Sequence, residues 1–109
     1  MDKLAVANEI RNQIGHKAFV MMGASNYVGS SEDQEKKGAL HFKLGKGIKN
    51  HKGKTVTHVV VTLCHNDTYT VETYFIRGLT CKPLDLSEGV YVDRLRDTIS
   101  SLTGCYLSL

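Results

Sequence analysis

Residues 47–64 read "GIKNHKGKTVTHVVVTLC", and the fold turns on how that stretch divides. Its first half resembles a phosphate-binding loop, with a leading glycine, a basic middle and a Gly53-Lys54-Thr55 ending. Such a loop needs four residues between the first glycine and the Gly-Lys pair, so that successive backbone N–H groups curl round one phosphate. Here Ile48, Lys49, Asn50, His51 and Lys52 intervene, one too many. A helix must also come next, because its N-terminal N–H groups complete the anion site. Thr55 to Cys64 come next instead, and they are rich in the β-branched residues that favour strands. The stretch is therefore a lysine-rich exposed connection, residues 45–54, entering a strand over residues 55–64.

Strands are expected on both sides of it. In "ALHFKLG", residues 39–45, Leu40, Phe42 and Leu44 alternate with His41 and Lys43, as in a half-buried strand. "HNDT", residues 65–68, is a turn cluster, and "YTVETYFIRG", residues 69–78, is the next strand. "KAFVMM", residues 17–22, sits between glycines, looks too short for a helix and reads as a strand, with residues 23–29 extending it. The polar "SSEDQEKKG", residues 30–38, reads as an exposed loop.

Helices are expected at the two ends. Val6, Ile10 and Ile14 make one apolar stripe over residues 2–14, with Gly15 as the stop. Val92, Leu95, Ile99 and Leu102 make another over residues 90–104, with Ser87 as N-cap and Gly104 as stop. Pro83 places residues 79–89 in a connection, and the apolar ending "CYLSL" is expected to pack down. Short links favour antiparallel pairing. The expected fold is α+β, a single domain over residues 1–109. It has a four-stranded antiparallel sheet with the N-terminal and C-terminal helices packed on one face. Val59, Val61 and Leu63 should meet Ile10, Leu95 and Ile99 there. The opposite face and the strand edges are left for a partner, and a symmetric homodimer is expected.

Composition narrows the function. A chain of 109 residues, 41% hydrophobic and 23% charged, fits one ordinary domain. No apolar run approaches the ~20 residues that span a bilayer, and the acid-bearing start is not a secretion signal. No membrane role and a cytoplasmic location are expected. Three cysteines without a C-x-x-C spacing offer neither a disulfide framework nor a zinc site. Neither a metal nor a cofactor is expected.

Charge is uneven. Residues 36–66 hold seven lysines and no acid, between two weakly acidic flanks, although the whole chain is only +3. Lys43, Lys46, Lys49, Lys52, Lys54 and Arg77 are the candidate contacts to nucleic-acid phosphates. The competing account of Arg77 is an ion pair to Glu72 or Asp67. Phe42, Tyr27, Tyr69 and Tyr74 are the strand aromatics available to stack on bases, and the alternation turns Phe42 toward the core. Enzyme signals are weak. Cys64 and His65 are adjacent, so on a strand they point apart. His51, His58 and His65 straddle three kinds of structure, and Asp93 with Asp97 belongs to a charged helix face. No catalytic residue is assigned.

Four motifs carry a family resemblance. They are Gln13-Ile14-Gly15, Gly23-Ala24-Ser25-Asn26, Ile76-Arg77-Gly78 and Thr103-Gly104-Cys105-Tyr106-Leu107-Ser108-Leu109. Together they resemble a small protein family common in bacteriophages and other bacterial mobile elements. The lysine-rich segment around residues 46–55 is longer here than in that family. The resemblance implies an accessory protein acting in a bacterial host and brings no catalytic residue with it. Two alternatives to nucleic-acid binding stand beside it: a protein-binding module that inhibits a host or defence protein, and a structural or assembly protein.

Overall fold

In the computed structural model, which describes residues 4–105, an antiparallel sheet and three α-helices form an α+β fold. Chain order is α1 (Ala5–Ile14), α2 (His16–Met22), β1 (Ser25–Ser30), β2 (Gly38–Lys43), β3 (His58–Leu63), β4 (Tyr69–Arg77), β5 (Thr80–Val90), a 3-10 turn (Val92–Arg94) and α3 (Leu95–Thr103). The sheet has five strands in the order β1-β2-β3-β4-β5, each antiparallel to the next. The expected arrangement of four is corrected in two places.

The first correction is residues 17–22, which are helical. Gly15, at φ 91°, breaks α1 from α2. Ala18, Phe19 and Met22 are buried while Val20 and Met21 are exposed, a helical spacing that six residues are too few to display in the sequence. Phe19 packs edge-on against both Tyr27 and Phe42, at 5.2 Å between ring centroids in each case. The first strand begins later, at Ser25.

The second is residues 80–90, expected as a connection and found as the eleven-residue edge strand β5. Pro83 stands opposite Tyr74, where the β4–β5 register shifts. Proline is tolerated at such an edge or bulge because no ladder N–H is needed there. Ser87 consequently lies within β5 and caps nothing; α3 starts at Leu95, and no side chain caps it.

The core is built on one face of the sheet. Leu40 and Phe42 of β2 stand opposite Val61 and Val59 of β3, which stand opposite Val71 and Thr73 of β4. Ile10, Ile14, Ala18, Phe19, Met22, Leu95 and Ile99 from the three helices join Leu40, Phe42, Val59, Val61 and Val71 in one buried cluster, and Thr73 is buried on the same face. Each large side chain contributes roughly 1.5–3 kcal/mol by leaving water. The expectation for residues 106–109 lies outside the described residues. Among the described residues, no helix is long and apolar enough to cross a membrane.

Candidate functional site

The antiparallel register sorts the charges by end of the sheet. Lys43 closes β2 and stands opposite His58, which opens β3; His58 in turn stands opposite Tyr74 near the end of β4. The segment carrying Lys46, Lys49, Lys52 and Lys54 leaves from and returns to that same end. So does the β4–β5 hairpin, in which Arg77 pairs with Thr80 across Gly78 and Leu79. All six candidate residues are thus brought to one end of the sheet. β5 adds Lys82, opposite Phe75, which the sequence reading missed.

Acids collect at the other end. The β1–β2 connection, residues 31–37, holds Glu32, Asp33 and Glu35, and the β3–β4 turn holds Asp67. Lys36 and Lys37 belong to this end, although in sequence they head the lysine block. Lys36 pairs with Asp33 and Lys37 with Asp67. The hydrogen-bonded partner holds the Asp33 carboxyl below its ordinary range and the Lys37 ammonium above its own. Asp67 is thereby engaged far from Arg77, and Glu72 instead accepts the Tyr74 hydroxyl. Neither carboxylate forms an ion pair with Arg77.

Distance decides whether the two ends cancel. Six residues of β2 separate them by about 17 Å at ~3.4 Å per residue. Screening in physiological salt acts over about 8 Å. Glu32, Asp33, Glu35 and Asp67 therefore take little from the cationic field, whereas Asp85 of β5 lies within it. Among the described residues, the one ion pair that engages a candidate lysine is Lys52 with Asp85, at 3.3 Å.

The lysine segment is built around a buried polar side chain. Asn50 is 8% exposed. Its Oδ1 accepts the backbone N–H groups of Lys52 and Lys54, each at 3.0 Å, and its Nδ2 donates to Asp85 at 3.4 Å. Lys49 bridges Thr55, Val56 N–H donates to the Ile48 carbonyl at 2.9 Å, and Ile48 packs against the core. The outward positions Lys46, Lys49, Lys52 and Lys54 are exposed. A turn that satisfies its own backbone can present lysines without ordering them one by one.

Of the four aromatics considered, three are occupied. Phe42 and Tyr69 are buried in the core, and the Tyr27 ring packs edge-on against Phe19 with the Arg11 guanidinium over it at 4.5 Å. Tyr74 remains, on the face away from the core. Cys64 and His65 have different partners, Thr70 Oγ1 at 3.3 Å and the Asp33 carbonyl at 3.0 Å. Among the described residues, no three His, Cys, Asp or Glu side chains are grouped as metal ligands. No family model matches the chain, and no curated protein or solved structure matches it.

Proposed function

We propose that this is a small accessory binding protein of bacteriophage or mobile-element origin, which holds nucleic-acid phosphates at the cationic end of its sheet and catalyses no reaction. One observation carries the reading: Lys43, Lys46, Lys49, Lys54 and Arg77 converge on that end with no ion pair to a carboxylate among the described residues. Unpaired lysines on a polyanion displace condensed counterions, and that release drives binding. The family resemblance supports the setting, a bacterial host cytoplasm.

The test is a filter-binding titration across salt concentrations with Lys43, Lys46, Lys49 and Lys54 replaced together by Gln. Lys52 is retained because it is tied to Asp85. The variant should fold normally, and its log–log salt slope should flatten by roughly 0.7–0.9 for each phosphate no longer engaged. Unchanged affinity and slope would sink the reading.

A second reading, a module that occludes a host or defence protein, is favoured by α2. Val20 and Met21 are 64% and 40% exposed there, and Met21 lines a shallow cavity with Ile48 and Cys105. A pull-down that survives both nuclease and high salt, and is abolished by Val20→Asp, would favour it.

A further inference from the structure

The sheet face away from the core is the second surface at the cationic end. Its rows come from the register. Lys43, His58 and Tyr74 form one row across β2, β3 and β4. Val28, His41, Val60, Glu72 and Leu86 form the next, across all five strands. His41 and Lys43 are exposed, and His58 and Tyr74 are half-buried. The His41 and His58 rings lie 6.4 Å apart between centroids, at 67°. Tyr74 donates its hydroxyl to Glu72, and His58 Nδ1 lies 2.8 Å from Thr57 Oγ1. Three rings therefore share one face of the sheet, next to Lys43 and the lysine segment.

We propose that a single-stranded nucleic acid lies across this face, with its bases on the rings of His41, His58 and Tyr74 and its phosphates toward Lys43 and the lysine segment. The inference rests on the phosphate-binding reading and names its ligand class. Every base offers a π-face, so stacking on such rings is sequence-tolerant. In a duplex those faces are covered by neighbouring base pairs, so the rings discriminate against double strands.

The charges on the face set the orientation. His58 is faced by Lys43 and His41 from β2 and by Tyr74 from β4, with Glu72 in the adjoining row. The residues of β1 opposite Lys43 and His41 are Ser25 and Val28, which carry no charge. Glu72 repels phosphate, which keeps the backbone at the Lys43 side and leaves an acceptor where bases carry amino groups.

Fluorescence anisotropy at pH 8, above the ordinary imidazole range, tests the proposal with a labelled single strand and a duplex of equal length over a salt series. The single strand should bind more tightly. His41→Ala and Tyr74→Leu, each checked for folding by circular dichroism, should weaken it about tenfold, the order of one base stack. Their salt slopes should not change, and Tyr74→Phe, which keeps the ring, should bind like the parent. If the duplex binds equally well and only the lysine variant weakens binding, this inference is overturned while the phosphate-binding reading stands. Binding of neither probe overturns both. A dimer in light scattering that His41→Ala dissociates would assign the face to a second copy and also overturn it.

Discussion

Gly104, which ends α3, passes so close to the Lys49 carbonyl oxygen that a β-carbon built on it would overlap that oxygen. It also has φ 75°, the left-handed conformation that costs a residue with a side chain about 1–2 kcal/mol. Gly53 has the same φ of 75° with nothing within 4 Å. Gly104→Ala should therefore cost roughly 2–4 kcal/mol, and Gly53→Ala only about 1–2 kcal/mol. Urea denaturation of the two variants checks the difference. Equal losses would mean that α3 and the lysine segment do not touch.

Asn50→Ala removes the acceptor shared by the Lys52 and Lys54 N–H groups. The expected loss is about 1 kcal/mol for each bond, the net worth of a typical hydrogen bond, because both are only partly buried. Hydrogen exchange should quicken at those two amides. Asn50→Asp keeps the acceptor but sets a carboxylate beside Asp85, so it should fail to restore stability at neutral pH.

His58 has its pKa lowered below 6.5, first by burial, then by His41 and Lys43. The folded state therefore binds this proton less readily than the unfolded chain does. The resulting stability is complete above about pH 6.5 and is lost as pH falls through the folded value. His58→Gln should flatten the stability profile on the acid side of neutrality. An NMR titration of the ring with a midpoint at or above 6.5 would contradict this.

Tyr74 runs the other way. Its hydroxyl donates to Glu72, and that bond, with burial and the nearby negative charge, pushes its pKa up to about 12 from 10.0. The bond's contribution is whole below pH 10.0 and is lost as pH rises toward about 12. Tyr74→Phe should cost under about 1 kcal/mol at pH 7, because the pair is solvent-screened. The difference from the parent should vanish above about pH 12. In an ultraviolet absorbance titration, Tyr74→Phe should remove a phenol that ionises near pH 12, while the Tyr69 phenol, which burial also raises, is kept.

Much of the fold was legible because it rests on local periodicity. Alternation in residues 39–44, the β-branched run through Val61 and the stripe of Ile10 and Ile14 each report a buried face directly. That a strand and not a helix follows residues 47–55 was readable from the β-branched run after Thr55. Two elements escaped for opposite reasons. Residues 17–22 are so few that helical and strand spacing coincide. β5 is an edge strand, mostly exposed, with little apolar alternation and a proline that misleads. One signal for β5 was present: a two-residue loop with glycine first, Gly78-Leu79, after a clear strand, which is a hairpin pattern.

The sequence by itself determined which residues are cationic and which segments bury a face, since both are properties of neighbours along the chain. Only the tertiary structure decided which charges act together. Lys36 and Lys43 are seven positions apart, yet β2 carries them to opposite ends of the sheet, where Lys36 meets Asp33 and Lys43 meets His58. Arg77 lies 23 positions beyond Lys54 and is returned to the same end by the reversal between β3 and β4. Electrostatic interaction falls with distance through space and is screened within about 8 Å. Strand order and register therefore decide how the charges sum, and composition along the chain does not.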